Sequence, residues 1–435
     1  MPGGSQILTV APLASRAVID LRALRDDPAY RDGAIAKGAD ADTVAQLLEA
    51  EEIRRTTLSE VEGLRAETNA ASKDIGRADP TEREAKIEAA GRLKSQVGER
   101  EAALDQATAR VDELALTIPN PAHHSVPIGD EDAYEVVDVV GDQAPPPPLD
   151  HADYGERMGW TDAERGAAVS GSRFAYLRGE AVLLEFALVQ WTLHKLVARG
   201  FTPIVPPVLV REDMMVDAGF FPTDRNQVYE LEKDELFLVG TAEVPLAGIH
   251  RGERLDAGLL PVRYVGFSSC FRREAGTYGK DTRGIFRVHQ FDKVEMFIWA
   301  GADQSWAEHE LLLEIEREIL DELGFAYRVI NVATGDLGAA AAKKYDCEVW
   351  LPSEGRYREI TSCSNYTDFS ARRLGTRVKG RAGTEPAHTL NGTACAVGRT
   401  LVFLMEQAQQ PDGTFVVPEV LRPYCGLDVI APPAG

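Results

Sequence analysis

Residues 93–118 carry a seven-residue repeat, and this repeat limits the fold more than any other feature of the sequence. Its positions are separated alternately by four and three residues, and all but one are apolar. A heptad of this kind is typical of a coiled-coil seam and not of an isolated surface helix. The repeat positions are Leu93, Val97, Arg100, Leu104, Ala107, Val111, Leu114 and Ile118, and an upstream segment repeats the spacing at Val61, Leu64, Thr68, Ala71 and Ile75.

A short polar segment separates the two repeats. Residues 76–81 read Gly-Arg-Ala-Asp-Pro-Thr, which predicts a helix end, a turn and a new helix start. Two helices joined by so short a loop must run antiparallel. At roughly 35 residues each, they predict a hairpin on the order of 50 Å long. We expect this arm to project and not to fold into a compact domain.

The arm has two possible roles. Periodicity alone favours an oligomerisation or spacer coiled coil. Basic residues towards the tip permit nucleic-acid contact without showing it, because acidic residues alternate with them. The whole chain has 69 acidic and 47 basic residues and a net charge of −22. This charge excludes a general nucleic-acid coat, since phosphate neutralisation needs clustered Lys and Arg.

The pattern of the sequence changes near residue 120. Pro119 and Pro121 break any helix, and the proline run at 145–148 predicts an extended linker. From about Tyr154, strand-like segments follow one another with few helices between them, which predicts an antiparallel sheet and an α+β fold. With 435 residues, two domains are expected. We predict an unassigned extension at 1–17, a helical domain at 18–120, a linker at 121–153 and a second domain at 154–435.

Cysteine usage and hydropathy indicate the compartment. The five cysteines are widely spaced and contain no C-x-x-C pair, so a disulfide framework and a structural zinc site are not expected. No run of 18 apolar residues occurs, and no basic region precedes the short apolar stretch near the N-terminus. The sequence therefore predicts a cytoplasmic protein without a membrane span.

Several common nucleotide and catalytic motifs are absent. The sequence contains no G-x-x-x-x-G-K-[ST] loop, no G-x-G-x-x-G after a strand and no G-x-S-x-G elbow. Any nucleotide phosphate would therefore be held by side chains, and arginine is suited to this because its planar fork pairs bidentately with phosphate and carboxylate. Arginine occurs with carboxylates, aromatic residues or hydroxyls in three strand-like segments, at 270–274, 287–295 and 391–400.

These segments resemble the class II aminoacyl-tRNA synthetases, and specifically the seryl-tRNA synthetase family. The resemblance covers nearly the whole chain from about Val18. The class patterns stand here as Gly200, Phe201, Pro207, Val208 and Leu209, then Phe271, Arg272, Glu274, Arg287 and Phe291, and finally Gly398 and Arg399. The segments at 239–246 and 359–365, together with the helical arm, are typical of the seryl family. The resemblance implies a class II catalytic domain built on an antiparallel sheet flanked by helices.

The resemblance also implies a reaction. A serine–tRNA ligase activates L-serine with ATP to seryl-adenylate and then transfers serine to the 3′ end of serine tRNA, and to selenocysteine tRNA where that is present. Arg272 and Arg399 would be catalytic, and Glu359 and Ser362 would hold Mg²⁺. The full set implied for ATP is Arg272, Arg273, Glu274, Arg287, Val288, Phe291, Glu359, Ile360, Thr361, Ser362 and Arg399.

The remaining implied sites bind serine and tRNA. The residues implied for serine are Thr241, Glu243, Arg272, Glu295, Asn391 and Thr393. Those implied for tRNA are Lys73, Arg77, Arg83 and Lys86 on the arm, for the long variable arm of the tRNA, and Lys280 and Arg283 for its acceptor end. The family further implies a two-fold symmetric homodimer that contacts around Pro207.

Two departures and two rival functions are left open. Residues 1–17 have no counterpart in the family pattern, and the third motif reads Asn-Gly-Thr where many members have Asn-Gly-Ser. Either hydroxyl can serve the same purpose. A paralogue that acylates a carrier molecule is one rival, although such relatives tend to lack the arm. A catalytically dead coiled-coil protein is the other, and the retained arginines and glutamates argue against it.

Overall fold

The computed structural model describes residues 18–276, 283–381 and 383–433. The extension at 1–17 and the expected tRNA contact Lys280 lie outside these residues. The helices are α1 (Leu21–Asp26), α2 (Pro28–Ala36), α3 (Ala41–Ile75), α4 (Arg83–Leu116), α5 (His151–Arg157), α6 (Ala163–Ser170), α7 (Glu180–Ala198), α8 (Glu212–Asp217), α9 (Glu243–Gly248), α10 (Ser305–Glu322), α11 (Phe369–Leu374), α12 (Val397–Gln407) and α13 (Arg422–Cys425).

The strands are mostly short outside the central sheet. They are β1 (Glu135–Val140), β2 (Thr161–Asp162), β3 (Tyr176–Leu177), β4 (Thr202–Ile204), β5 (Leu209–Arg211), β6 (Glu230–Leu231), β7 (Leu236–Leu238), β8 (Arg254–Asp256), β9 (Val262–Phe271), β10 (Gln290–Ala300), β11 (Tyr327–Asn331), β12 (Lys343–Leu351), β13 (Arg356–Asn365), β14 (Arg377–Gly380), β15 (Gly383–Pro386), β16 (His388–Ala396), β17 (Phe415–Val416) and β18 (Val429–Ile430).

The chain divides into two compact units between Pro121 and Ala122. In the first unit, α3 and α4 form the predicted hairpin, with the turn at residues 76–82. The heptad positions face the seam: Val61 and Val111 are buried, and the other apolar positions towards the tip are half-buried. Arg100 is exposed at the seam's margin and pairs with Glu60 on the other helix at 3.3 Å. The predicted coiled-coil spacing is confirmed.

The second unit is built on an eight-stranded sheet of order β1-β11-β12-β13-β16-β10-β9-β4. Every neighbouring pair is antiparallel except β4 and β9, which run parallel. The predicted α+β class is therefore confirmed. Residues 121–153 were expected to be a linker, but β1 lies within them and pairs with β11. Three of its four valines, Val136, Val137 and Val139, are exposed because β1 is an edge strand.

Successive side chains of the central strands point to opposite faces of the sheet. On β10, Val294, Met296 and Ile298 join the main core with α7, α10 and α12, whereas Phe297 and Trp299 pack with α9 and α11. This alternation follows from the two-residue period of a strand. We call the side of α10 the rear face and the side of α9 the front face. Helix α7 has the length and hydropathy of a membrane span, but it buries Leu184 and Leu188 in this core, and we interpret it as a core helix.

Candidate active site

A cleft opens where β9, β10 and β13 meet the start of α12. Nine of the eleven residues expected to bind ATP line it: Arg272, Glu274, Arg287, Val288, Phe291, Glu359, Ile360, Ser362 and Arg399. Two of the expected residues do not. The exposed Arg273 uses its backbone amide to donate to Gln227, and the Thr361 side chain is buried on the rear face. We call this space the nucleotide cleft.

The segment between β9 and β10 fixes two arginines of the cleft. Glu274 has a positive φ of 49°, and its carboxylate accepts a 2.6 Å hydrogen bond from Arg287. The Arg272 side chain donates from Nε to the Gly240 carbonyl at 3.2 Å, and its guanidinium carbon lies 5.4 Å from the Phe291 ring centroid. Charge-assisted pairs of this kind hold side-chain geometry more firmly than neutral bonds do.

On the other side of the cleft, Arg399 contacts Glu359 twice. Its guanidinium donates to the Glu359 carbonyl at 2.9 Å and lies 3.6 Å from the carboxylate. Desolvation opposes the charge on Glu359, but Arg399, Lys344, Arg272 and Lys293 together hold the pKa of Glu359 below its usual value. The Glu359 carboxylate is therefore ionised at neutral pH, and it is exposed to the cleft.

A second pocket adjoins the first on the front face. All six residues expected to bind serine line it: Thr241, Glu243, Arg272, Glu295, Asn391 and Thr393. They come from the segment before α9, from α9, β10 and β16, and from the end of β9. Glu295 faces Thr393 across the β10–β16 ladder. We call this space the amino-acid pocket.

Hydrogen bonds in the amino-acid pocket converge on Asn391. Its Nδ2 donates to Glu243 at 2.7 Å and to Glu295 at 3.1 Å, and the Thr393 hydroxyl donates to Glu295 at 3.3 Å. Burial, reinforced by the neighbouring Glu295 charge, raises the pKa of Glu243 to about 8. With a pKa of about 8, the Glu243 carboxyl group is largely protonated at neutral pH.

Two further residues of this pocket were missed in the sequence analysis. Lys293 is 7% exposed, lines both spaces and lies 2.5 Å from Glu295. Its signal was its position two residues before Glu295, which places both side chains on one face of β10. Tyr366 also lines the amino-acid pocket, and burial followed by the charge of Glu243 raises its pKa well above the ordinary value. Nothing in the local sequence distinguishes Tyr366 from a core tyrosine.

The expected metal ligands offer oxygen atoms only. Glu359 and Ser362 both line the nucleotide cleft, and a carboxylate with a hydroxyl fits Mg²⁺, which prefers oxygen ligands and keeps waters or phosphate oxygens in its remaining positions. Within residues 18–276, 283–381 and 383–433, no group of three His, Cys, Asp or Glu side chains is arranged to enclose a metal. The donor set therefore suits a cation shared with a bound phosphate.

The expected tRNA contacts have different surroundings. Lys73, Arg77 and Arg83 are exposed near the turn of the hairpin, whereas Lys86 is half-buried and lies 3.2 Å from Glu82. Arg283 pairs with Asp150 at 3.3 Å and also with Asp153. It must leave these carboxylates before it can contact a phosphate.

Four residues line both the nucleotide cleft and the amino-acid pocket: Arg272, Lys293, Ser362 and Thr393. A triphosphate in the first space and a small zwitterion in the second would meet at Arg272. The arginines supply positive charge on the phosphate side, and Glu243 and Glu295 supply acceptors for an ammonium or hydroxyl group on the other. This arrangement suits attack of a carboxylate on a phosphate.

Comparisons with known proteins agree with this geometry. Residues 18–122 match the family model described as the seryl-tRNA synthetase N-terminal domain, and residues 227–408 match the tRNA synthetase class II core domain (G, H, P, S and T). A serine–tRNA ligase of Acidothermus cellulolyticus is 51% identical over 420 residues, covering 95% of this chain and 100% of that protein.

Solved structures are similar over the same length. The seryl-tRNA synthetase of Pyrococcus horikoshii complexed with ATP has a TM-score of 0.89 and 37% identity, covering 96% of this chain and 100% of that one. The cytoplasmic serine–tRNA ligase of Naegleria fowleri in complex with AMP has a TM-score of 0.86 and 32% identity, covering 94% of this chain and 98% of that one.

Proposed function

Because the chain belongs to the seryl-tRNA synthetase family, we propose that the nucleotide cleft binds ATP and the amino-acid pocket binds L-serine. The chain is a serine–tRNA ligase, an aminoacyl-tRNA synthetase that activates serine with ATP and transfers it to tRNA. The observation that carries the site assignment is the position of Arg272, which lines both spaces.

Arg272 contacts both reacting groups in this proposal. It pairs with the serine carboxylate and with the α-phosphate, and so brings the two anions together. Arg399, at the opposite side of the cleft, holds the γ-phosphate, and Phe291 stacks on adenine while Glu274 accepts from the adenine amino group. The reaction needs positioning and charge stabilisation and no general base, because the attacking carboxylate is already ionised. Bound Mg²⁺ would be held by Glu359 and Ser362, and it supplies charge neutralisation on the phosphates.

Serine is selected by its two polar ends. Thr241 and Glu243 receive its ammonium group, and Glu295 and Thr393 hydrogen-bond its hydroxyl. Asn391 joins the two carboxylates through its bonds to Glu243 and Glu295. Alanine would leave the buried Glu295 and Thr393 without a partner, and a site of that kind rejects the analogue that lacks the hydroxyl.

The second unit exposes an apolar surface that suits a homodimer. Leu183 and Phe186 on α7 are 48% and 54% exposed, and Val205, between β4 and β5, is 82% exposed. Exposed apolar side chains mark an interface when they form a continuous patch, and α7 packs beside β4, the strand that precedes Val205. We propose a two-fold symmetric dimer through this surface, with Pro207 at its edge. A monomeric mass by light scattering at micromolar concentration, combined with full activity, would contradict it.

The remaining partners follow from the exposed arm and the family. Serine tRNA would contact the arm through its long variable arm, and its acceptor end would reach Arg283. Selenocysteine tRNA would be a second substrate wherever the cell contains it, because the same arm would grip it. A cytoplasmic location is consistent with four cysteines that are buried as free thiols and a fifth, Cys425, that is half-buried and free.

The test uses the full chain. Serine-dependent exchange of pyrophosphate into ATP, measured with and without Mg²⁺, reports activation, and charging of purified serine tRNA reports transfer. We expect both activities, and we expect exchange to stop when EDTA removes Mg²⁺. Exchange without any tRNA charging would favour a carrier-acylating enzyme, and neither activity would favour a binding protein without catalysis.

A further inference from the structure

Helix α10 directs two polar side chains at the rear face of the sheet, behind the amino-acid pocket. His309 and Glu316 are seven residues apart and therefore lie on one side of the helix. Both are 0% exposed. His309 Nε2 lies 3.1 Å from the Cys363 carbonyl on β13, and Glu316 lies against Thr361 on β13 and Gly392 on β16. Neither residue lines the nucleotide cleft or the amino-acid pocket.

The Glu316 carboxyl group contacts both strands. Its Oε2 accepts a 3.0 Å hydrogen bond from the Thr361 hydroxyl on β13. A Cβ atom built on Gly392 of β16 would lie 3.1 Å from Oε1 and 3.1 Å from the Cys363 Cβ. The carboxyl group therefore packs closely behind Gly392, and a side chain at residue 392 would force Glu316, Cys363 or Met296 to shift by a few tenths of an ångström.

Glu316 is held in an environment that favours its neutral form. In the described part of the chain no lysine or arginine forms an ion pair with it, and burial, together with the charges of Asp346 and Glu295, raises its pKa well above the ordinary value. A buried acid without a cation is costly unless it is neutral and hydrogen-bonded, and the Thr361 hydroxyl supplies one such bond to Glu316.

Gly392 lies between the two residues of β16 that enter the amino-acid pocket. Because side chains alternate along a strand, Gly392 faces α10 while Asn391 and Thr393 face the front. The bonds that these two residues make to Glu295 are 3.1 and 3.3 Å long, near the outer limit for a good hydrogen bond. A shift of β16 towards α10 would lengthen and weaken both bonds.

We infer that Glu316 is a positioning residue for serine: its carboxyl group supports Gly392 from behind and anchors β13 at Thr361, which holds Asn391 and Thr393 at the depth where they reach Glu295. This inference rests on the proposed assignment of the amino-acid pocket. It explains why β16 carries Asn-Gly-Thr with a glycine in the middle. It also predicts a larger effect on serine than on ATP, because Gly392 lies directly between two of the serine-contacting residues, whereas Arg272 and Arg399, which would hold the ATP phosphates, stand outside β13 and β16.

The test is steady-state pyrophosphate exchange with Glu316→Met, which keeps the volume and removes the hydrogen bond. We expect the KM for serine to rise about tenfold, the usual size for one buried hydrogen bond lost, with the KM for ATP within about twofold. Glu316→Gln keeps an acceptor for Thr361 and should restore the serine KM to within about threefold. Equal rises in both KM values, or no rise for serine, would overturn the inference.

A matched control lies on the same helix. Glu308 is also buried and pairs with Arg263 at 2.6 and 2.7 Å, away from both spaces. Glu308→Met should lower the melting temperature and leave both KM values unchanged. If Glu316→Met fails to fold, Gly392→Ala tests the same contact from the strand side. Its added methyl would push β16 away from Glu316, and a serine KM equal to that of the wild type would overturn the inference.

Failure of this inference can be separated from failure of the site assignment. A variant of Glu295 that impairs serine use, alongside a Glu316→Met enzyme with normal kinetics, would reject only the positioning role. If neither variant affects serine use, the assignment of the amino-acid pocket itself is wrong.

Discussion

The Lys293 ammonium group lies 2.5 Å from the Glu295 carboxylate, and both residues stand on the front face of β10, two positions apart. Glu295 is completely buried, so this pair, with the bonds from Asn391 and Thr393, satisfies a charge that the interior would otherwise disfavour. The same carboxylate is the proposed acceptor for the serine hydroxyl. Glu295 therefore contributes both to the packing of the interior and to the proposed selection of serine.

Replacing Glu295 tests the second of these roles. Glu295→Ala should raise the KM for serine by about 100-fold, because a charged hydrogen-bond acceptor is lost, and should change the KM for ATP by no more than a few-fold. Steady-state pyrophosphate exchange measures both constants. A thermal melt checks folding, since Lys293 loses its partner. Equal effects on serine and ATP would mean that the role of Glu295 is misassigned.

Replacing Arg272 tests the meeting point of the two substrates. Arg272→Ala should lower kcat for activation by roughly 10²–10³, the usual cost of losing one donor directed at developing charge. Arg273→Ala provides the neighbouring comparison, because this exposed arginine lies outside the cleft, and its effect should be much smaller. Near-normal exchange in Arg272→Ala would remove Arg272 from the reaction centre.

The raised pKa of Glu243 predicts a pH dependence. Serine's ammonium group needs the ionised carboxylate, and the ionised fraction of a group with a pKa of about 8 increases as pH rises. The kcat/KM for serine should therefore rise between pH 6 and 8, by up to about tenfold per unit at the acid end.

Glu243→Gln should weaken serine use and abolish this slope. Serine binding to the wild type should also release a proton, which calorimetry in buffers of different ionisation enthalpy would detect. A flat profile between pH 6 and 8 would show that Glu243 is already ionised before serine binds.

Deleting residues 72–94 and closing the helices with a short turn tests the arm. No residue of the arm lines the nucleotide cleft or the amino-acid pocket, so serine-dependent exchange should stay within a few-fold of the wild type. Charging of serine tRNA should fall by orders of magnitude through lost binding, and charging by the intact enzyme should weaken as salt increases. Normal charging by the deleted enzyme would mean that the arm is only a spacer.

Periodic features were predictable from sequence, and features made by packing were not. The heptad of α4 and the loop at 76–81 predicted the hairpin because every seventh position repeats the same environment. The antiparallel sheet predicted after Tyr154 is present, but residues 202–210 form two short strands, β4 and β5, because the prolines at 203, 206 and 207 cannot donate to a ladder. The strand-like segment predicted at 391–400 covers the end of β16 and the first residues of α12.

The site shows the same division. Arg272, Glu274 and Arg399 stand in recognisable segments, and the structure places them around one cleft. Only the folded structure shows that Lys293 lies between the nucleotide cleft and the amino-acid pocket. Glu316 lies on the apolar face of α10, four residues after Leu312 and three before Ile319, which marks it as a buried acid. The sequence does not show which strand this acid packs against.

The seam between α3 and α4 has a consequence for how such an arm can change in length. Its half-buried positions recur every seven residues. Ion pairs between the helices, such as Arg65 with Glu101 at 2.6 Å, join residues at matching positions along the hairpin. Removing one residue from a single helix would rotate everything beyond it by about 100° and turn the seam outwards. Removing seven from each helix would shorten the arm by about 10 Å and rotate its tip by only about 20°. Paired insertions or deletions of seven residues therefore change the reach of the arm while they keep its seam, whereas a single-residue change in one helix does not.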